Sequence, residues 1–208
     1  MSLYAIYDQV DVRKNVYPEL FRYTVTDGES ENGYAPVILY PKEKGLLKGK
    51  ITIPTFIDHH PIVALGNFSI TSTADPQPDP ITHIFFEDAS ISRVQTINSG
   101  CFNRMSTLKY FEYPTHLTTI GSSAFAQTAL QIDLVPNEIR TYTIGNSNLT
   151  TIGYFAFQNA LVSESSDYNI KIPSSVTSIG FAAFGWEDGC RNCTIILGTE
   201  NDPSQWNA

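Results

Sequence analysis

The chain has 208 residues, of which 42% are hydrophobic and 12% aromatic, enough apolar material for one globular body with a continuous core. Charged residues make up only 16%, and the formal net charge is −8. Nucleic acids and anionic membrane surfaces are bound by clusters of Lys and Arg, which this chain lacks, so we expect neither partner. Membrane insertion is not expected either, because no apolar run approaches the roughly 18 to 20 residues of a spanning helix.

Residues 1–49 form an N-terminal region that precedes the repeats described below. Its first segment carries four apolar residues, more than a free tail needs, and two interpretations stay open: a capping strand or an arm that binds a partner. These residues are Tyr4, Ile6, Tyr7 and Val10. The N-terminus has neither the basic region nor the apolar region of a secretory signal, so no signal peptide is visible.

Two segments of the N-terminal region predict a β-hairpin. Leu20–Val25 and Ala35–Tyr40 are rich in aromatic and β-branched residues, and the turn-forming stretch D-G-E-S-E-N-G lies between them. An array of stacked repeats exposes its apolar interior at each end, so a cap is required there. We expect this hairpin to cap the first repeat.

The rest of the chain, residues 50–208, is built from degraded copies of one unit, which is clearest as I-K-I-P-S-S-V-T-S-I-G-F-A-A-F from Ile170 to Phe184. Ile170 and Ile172 flank an outward-facing residue, as in a short half-buried strand, and Pro173 then ends that strand. Gly180 is expected to take a positive φ in a sharp turn. The following A-A-F is expected to form one turn of helix that buries its ring.

Copies of this unit recur at irregular intervals. The apolar residue before the glycine position marks each copy, and successive markers lie 32, 23, 32 and 27 residues apart. A single copy cannot bury its apolar face, whereas stacked copies can. We therefore predict a right-handed solenoid with two parallel ladders. The markers are Leu65, Ile97, Ile120, Ile152 and Ile179.

The I-x-I-P element followed by V-T-x-I-G-x-x-A-F resembles the BspA-type leucine-rich repeat. That resemblance implies an α/β fold leaning mainly β: a leucine-rich-repeat solenoid of about five repeats with short parallel strands and short helical turns. Thr194–Gly198 is expected to be its closing strand. Proteins of this family look like non-enzymatic recognition surfaces, often on cell exteriors, and similar repeats occur in phage-encoded proteins.

Candidate reactive residues are few. Cys190 and Cys193 form a C-x-x-C, which indicates turn thiols or, alternatively, a local disulfide or half of a metal site shared with a partner. Asp58, His59 and His60 indicate a solvated loop or a weak metal or proton-sensing site. No hydrolase, zinc-protease, phosphate-loop or dinucleotide motif occurs, so we expect neither an enzyme nor a cofactor.

The residue between the two inward positions of each I-x-I-P strand points out of the sheet. Aligning the strands places Glu112 next to Asp133 and Lys171 next to Asp133. This row is either a solvated face with one ion pair, or a binding face in which Phe85 is an apolar anchor beside an acidic patch. The aligned outward residues are Thr52, Phe85, Glu112, Asp133, Lys171 and Ile196.

Two functions are compatible with these features. The first is a rigid structural or interaction subunit that binds protein partners in a larger assembly, of which a phage virion is one setting. The alternative is a secreted or cell-surface adhesion module that binds a host protein or a glycan. We therefore expect the protein in a virion or at an extracellular or cell-surface location.

Overall fold

A computed structural model describes residues 17–43, 46–69, 81–131, 141–162, 168–185 and 193–198. Within this part of the chain there is one helix, of four residues, and no helix is long and apolar enough to cross a membrane. In chain order the elements are α1 (Tyr17–Leu20), β1 (Phe21–Val25), β2 (Val37–Pro41), β3 (Gly49–Ile53), β4 (Phe56–Ile57), β5 (His60–Leu65), β6 (Ile81–Phe86), β7 (Thr96–Ile97), β8 (Tyr110–Phe111), β9 (Thr119–Ile120), β10 (Leu130–Gln131), β11 (Thr141–Thr143), β12 (Thr151–Ile152), β13 (Leu161–Val162), β14 (Tyr168–Ile172), β15 (Ser178–Ile179) and β16 (Cys193–Leu197).

The largest sheet has eight strands and runs β1-β2-β5-β7-β9-β12-β15, with β4 paired to β5. From β2 onward, the strands along this path are parallel. The five marker residues lie directly opposite one another along it, which confirms the predicted alignment of the repeats. The register is Leu65, Ile97, Ile120, Ile152 and Ile179.

The I-x-I-P strands form two separate parallel sheets, β3-β6-β8 and β11-β14-β16. A short third pair, β10 with β13, is also parallel. Parallel pairing between successive copies is therefore present on both predicted sides. We call each copy of the repeat a coil. Coil 1 contains β3 and β5, coil 2 contains β6 and β7, coil 3 contains β8 and β9, coil 4 contains β11 and β12, and coil 5 contains β14 and β15.

A column of phenylalanine rings fills the centre, one ring from each coil. Neighbouring ring centroids are 5.4, 5.2, 5.2 and 5.6 Å apart. The first four rings are fully buried, and each such ring contributes about 1.5 to 3 kcal/mol by its removal from water. The column is Phe68, Phe102, Phe125, Phe157 and Phe184.

The segments after the markers of coils 2 to 5 are hydrogen-bonded turns and not helices, so the short helical turns predicted there are not found in the described coils. The reason is a residue in the left-handed region three positions after the marker, which a right-handed helix cannot contain. Ser123, Phe155 and Ala182 take φ values of 54, 56 and 50° at this position, and Gly100 takes 66°. The turns stack instead through backbone hydrogen bonds from each coil to the next.

The predicted role of Gly180 is also wrong, because its φ is not among the positive values. A Cβ atom at this position would lie 2.4 Å from the Tyr154 nitrogen of the preceding coil. Gly153 is in the same situation, with the Ser122 nitrogen at 2.5 Å. The glycine is therefore required by close approach of two backbones rather than by a special backbone angle.

The N-terminal strands β1 and β2 pair antiparallel, and β2 joins the repeat sheet beside β5. Phe21 is buried and its ring lies 6.4 Å from the first ring of the column, Phe68. The capping role of this pair and the division of the chain at residue 49 remain predictions. The four apolar residues of the first segment, Tyr4, Ile6, Tyr7 and Val10, lie outside the described residues.

Candidate interaction surfaces

The outward face of β3, β6 and β8 carries a cluster of three aromatic side chains, His83, Phe85 and Tyr110. The first two lie two residues apart on β6 and therefore share a face, and Tyr110 is the cross-strand partner of His83. The ring centroids are 6.1 Å apart for His83 and Phe85, 5.1 Å for Phe85 and Tyr110, and 6.1 Å for His83 and Tyr110. We call these three residues the sheet-face aromatic cluster.

Phe85 was predicted as an anchor, whereas His83 and Tyr110 were not. All three side chains are partly exposed. Thr52 is the cross-strand partner of Phe85 on the other side, so the cluster ends in a small polar residue there. A signal for the two missed residues exists in the sequence, because a period of two from Phe85 reaches His83 and strand alignment then reaches Tyr110.

Charged residues surround the cluster without entering it. Partial burial lowers the pKa of His83, and the positive charges of Lys50 and Lys109 lower it further, so His83 is neutral at pH 7. Burial raises the pKa of Tyr110, and the Glu112 carboxylate adds to this shift. At neutral pH the cluster itself is therefore an uncharged aromatic surface.

Glu112 follows β8 directly, and its carboxylate accepts a hydrogen bond from the Phe86 N–H at 2.7 Å. The backbone N–H of Glu112 donates to the Ile84 carbonyl at 2.9 Å. These contacts fix the Glu112 carboxylate beside β6, at the backbone of Phe86, the residue that follows Phe85. Its predicted neighbour Asp133 lies outside the described residues, so an acidic pair at this place remains a prediction.

Lys171 is exposed, but the prediction that Asp133 lies beside it on the neighbouring strand is wrong. Its ladder partners are Thr143 on β11 and Ile196 on β16, not Asp133. Coil 4 offers two segments that could pair with β14. The structure pairs Leu130–Gln131 with β13, which leaves Thr141–Thr143 beside β14. The alternation in Thr141–Thr143 favours this choice because Tyr142 supplies the buried side chain.

The Asp58–His59 pair forms the two-residue turn between β4 and β5, with φ values of 48 and 69°. His60 then forms a hydrogen bond between its Nδ1 and the Ala35 carbonyl at 2.6 Å, and the ring of Tyr34 packs against His59 and His60. Both histidines thus have packing roles. Across the described residues, no group of three or more His, Cys, Asp or Glu side chains could hold a metal ion.

Cys101 is a free, buried thiol, and burial raises its pKa well above the ordinary value, so it belongs to the core. Cys190 lies outside the described residues, so both interpretations of the C-x-x-C, turn thiols or a local disulfide or metal half-site with Cys193, stay open.

A second aromatic surface lies on the turns of coils 4 and 5 and was missed at the level of sequence. Tyr154 is 55% exposed, Phe181 is 58% exposed, and the rings of Phe155 and Phe181 are 5.8 Å apart. The same turn positions hold small residues in coils 2 and 3, namely Ser99, Gly100, Ser122 and Ser123. Aligning the repeats by their markers would have shown that these aromatics are not needed for the fold.

A family model described as "BspA type Leucine rich repeat region" matches residues 80–147 and 136–201, in 6 copies. These ranges cover more than half of the chain. The chain belongs to the BspA-type leucine-rich-repeat family. This membership confirms the resemblance inferred from the I-x-I-P and V-T-x-I-G-x-x-A-F patterns, and it places the protein among repeat proteins that generally mediate protein interactions or have structural roles.

One similar solved structure is the crystal structure of a leucine-rich repeat protein from Bacteroides ovatus ATCC 8483. It has 22% sequence identity and a TM-score of 0.48. The match covers 77% of this chain but only 36% of that protein, so the present BspA-type chain spans about a third of its length. No curated protein shows significant similarity to the chain.

Proposed function

We propose that this BspA-type repeat protein is a non-enzymatic interaction module that binds a protein partner through the sheet-face aromatic cluster. The observation that carries the proposal is the grouping of His83, Phe85 and Tyr110 on the outward face of one rigid sheet. Paired strands on both sides hold β6 in place, so these rings lose little further freedom on binding.

The chemistry of the cluster suits the centre of a protein interface. Aromatic side chains are enriched there, and charged groups are more frequent at the rim. Here the uncharged rings occupy the centre, while Lys50, Lys109 and Glu112 lie around them. A partner with an apolar or aromatic side chain and charged groups of both signs would complement this arrangement.

The equivalent face of β11, β14 and β16 contains no such cluster among the described residues. Its outward positions are mainly polar, including Thr143, Asn169 and Lys171. Lys171 thus lies on a different sheet from Phe85, and we propose the anchor role for Phe85 but not for Lys171. The contrast between the two sheets supports a localised binding site rather than a uniformly adhesive face.

The N-terminal arm is proposed as a second contact with the same partner, through Tyr4, Ile6, Tyr7 and Val10. Because proteins of this family are often extracellular or surface-located, we propose a cell-surface or extracellular setting rather than a virion. The antiparallel pair of β1 and β2 is proposed to close the first coil, since Phe21 covers the end of the phenylalanine column.

Quantitative affinity capture from extracellular and surface protein fractions would test the cluster. A Phe85→Ala, Tyr110→Ala double variant should lose its specific partner, whereas Ile91→Ala, which removes a side chain exposed to 54%, should retain it. The proposal fails if every protein captured by the wild type is captured equally by the double variant while both melt at the same temperature.

Deletion of residues 1–16 tests the arm separately. Loss of partner affinity with a melting temperature within a few degrees of wild type would identify an interaction element. Unfolding or aggregation of the truncated protein, with affinity retained by its folded fraction, would instead identify a purely structural segment.

A further inference from the structure

The connection between β1 and β2 contains the single Asn-Gly pair of the sequence, Asn32 and Gly33. They are the central residues of a small turn in which Glu31 and Tyr34 exchange two backbone hydrogen bonds, each with an N···O distance of 2.9 Å. The φ angles of Asn32 and Gly33 are 52 and 85°, and positive values at both central residues are typical of a type I′ turn. Backbone geometry therefore accounts for the presence of this pair.

An Asn-Gly pair also permits a covalent reaction between side chain and backbone, because glycine has no side chain to hinder its own nitrogen. The Gly33 nitrogen attacks the side-chain amide carbon of Asn32, and a five-membered succinimide forms as the side-chain nitrogen leaves. The proton lost by the Gly33 nitrogen reaches the leaving group through solvent, so the product released is ammonia. Water then opens the ring. Opening at the former side-chain carbonyl gives aspartate, and opening at the backbone carbonyl gives isoaspartate.

The reacting groups are accessible in the fold. Both residues are exposed, and no atom lies within 4 Å of the position that a Cβ atom of Gly33 would take. Within the part of the chain that the structure describes, no hydrogen bond uses the side chain of Asn32 or the N–H of Gly33. The side-chain amide can therefore approach the Gly33 nitrogen without first losing a hydrogen bond.

Other asparagines of the chain provide an internal comparison. Asn146 also precedes a small residue, Ser147, but its side-chain nitrogen donates to the Pro114 carbonyl, and its side-chain oxygen accepts a hydrogen bond from the Asn148 N–H at 2.7 Å. The side chain of Asn148 donates to the Thr115 carbonyl at 2.7 Å. These bonds would have to break before either amide could reach the nitrogen that follows it.

The turn is in contact with coils 1 and 2. The ring of Tyr34 lies 5.2 Å from that of His59 and 5.4 Å from that of His60, and Glu31 forms an ion pair with Arg93 at 3.1 Å. Isoaspartate lengthens the main chain of the turn by one carbon atom, so Glu31 and Tyr34 cannot keep both reciprocal hydrogen bonds. The reaction also places a new carboxylate beside Glu31, in a chain whose net charge is already −8.

We propose that Asn32–Gly33 is a site of spontaneous deamidation in the folded protein, and that the isoaspartate product releases the β1–β2 connection from coils 1 and 2. The inference goes beyond the proposed binding function and does not depend on it, because the sheet-face aromatic cluster lies on other strands. The fraction of modified chains increases with the age of the protein.

Mass spectrometry of tryptic peptides tests the site. The peptide of residues 23–42 contains Asn32 as its only asparagine, whereas the peptide of residues 141–171 contains four. During storage of the folded protein, the first peptide should gain about one mass unit several-fold faster than the second. A protein isoaspartate methyltransferase should label the first peptide as it appears. The asparagines of the second peptide are Asn146, Asn148, Asn159 and Asn169.

Two changes of condition test the mechanism. The reaction of Asn32 should be several-fold faster at pH 9 than at pH 7, because the attacking nitrogen of Gly33 has to lose its proton. Unfolding in urea should accelerate the reaction of Asn146, whose hydrogen bonds are then lost, while Asn32 should react in the folded protein as well as in urea.

Hydrogen exchange on the isoaspartate form, separated by ion exchange, tests the structural consequence. Exchange should become faster at the amides of Thr26 and Tyr34, which donate to Pro36 and Glu31, and stay unchanged at Gly121 and Gly153 in coils 3 and 4. Asn32→Gly is the matched variant. It lacks the reactive amide but suits the positive φ, so it should keep the wild-type melting temperature and show no change in mass on storage.

Three results would overturn the proposal. The first is a gain in mass at Asn32 in urea but not in the folded protein, which would show that the fold protects the turn. The second is an equal rate for the peptides of residues 23–42 and 141–171 in the folded protein. The third is unchanged hydrogen exchange at Tyr34 in the isoaspartate form, which would show that the modification leaves the β1–β2 connection in place.

Discussion

The hydroxyl oxygens of Tyr113 and Tyr142 lie 3.2 Å apart and share a hydrogen bond. Tyr113 follows β8, and Tyr142 is the central residue of β11, so the bond links the two three-stranded sheets where their ladders are interrupted. The Tyr113 ring also lies 5.2 Å from Phe111 and 6.4 Å from Phe125. A polar pair inside the apolar core thus connects coils 3 and 4.

This pair predicts a loss of stability in alkali. Burial raises the pKa of Tyr142 to about 12, while an unfolded tyrosine ionises near 10. Between these values the unfolded chain releases a proton that the folded protein keeps, so the free energy of unfolding falls as pH rises from about 10 to about 12. The loss is about 2 to 3 kcal/mol by the end of this range.

Urea unfolding between pH 9 and pH 12 measures the effect. Tyr142→Phe should give a shallower dependence of the free energy of unfolding on pH over this range, and Tyr34→Phe, which removes an exposed hydroxyl, is the matched control. A Tyr142→Phe protein with the wild-type slope would show that this hydroxyl ionises in the folded state as readily as in the unfolded chain.

The packing of the phenylalanine column predicts that truncating a single ring lowers the free energy of unfolding by a large amount. Phe125 is fully buried between Phe102 and Phe157, with ring centroids 5.2 Å away on each side. Phe125→Ala should lower the free energy of unfolding by about 3 to 5 kcal/mol, since it removes the ring and leaves a cavity. Ile91→Ala, at an exposed site, should change it by less than about 0.5 kcal/mol in the same urea titration. A loss below about 1 kcal/mol for Phe125→Ala would contradict the packing of the column.

The burial of Cys101 predicts that its thiol is protected from chemical reagents in the folded protein. Its burial excludes reagents and raises its pKa, so in a chain with Cys190 and Cys193 replaced by serine it should not react with a thiol reagent while the protein is folded. We expect one equivalent of thiol per chain to react with the reagent, and only after denaturant has been added. Fast labelling of the folded protein would show that the core opens at this coil.

The alignment of the coils could be predicted from sequence because one apolar residue per repeat has to face the same interior. Ile120 and Ile152 are 32 residues apart in the chain yet directly opposite in the sheet, and the intervening insertion does not disturb this register. The inward positions of the I-x-I-P strands of coils 1, 2, 3 and 5 were predictable for the same reason, whereas those of coil 4 were not. Burial of apolar surface selects one register, and a shift by one residue would expose every such side chain.

Outward positions carry no comparable constraint, which explains the errors at the candidate site. Lys171 was aligned with the wrong strand because coil 4 contains two short segments of suitable pattern, and only the pairing of β10 with β13 decides between them. Tyr110 was missed because the adjacent inward residue Phe111 alone set the strand position. Gly180 was assigned a turn angle because sequence does not report how closely two backbones approach.

The last prediction separates close approach from backbone angle as the reason for glycine. In Gly153→Ala the new Cβ atom would meet the Ser122 nitrogen at 2.5 Å and the Gly121 carbonyl carbon at 2.7 Å, which are backbone atoms that cannot rotate away. Coils 3 and 4 would have to separate, weakening the hydrogen bond from the Gly153 N–H to the Ile120 carbonyl at 2.8 Å. We expect a loss of about 2 to 3 kcal/mol, at the upper end for overpacked sites.

Gly100→Ala is the matched comparison, because Gly100 has a φ of 66° and open space around the position of a Cβ atom. The free energy of unfolding of Gly100→Ala should fall by about 1 kcal/mol, because only the left-handed backbone angle disfavours alanine at this position. Both variants can be compared by their urea midpoints at constant slope. If Gly100→Ala proved the more damaging, the backbone angle rather than the contact between coils would govern the glycine positions of this solenoid.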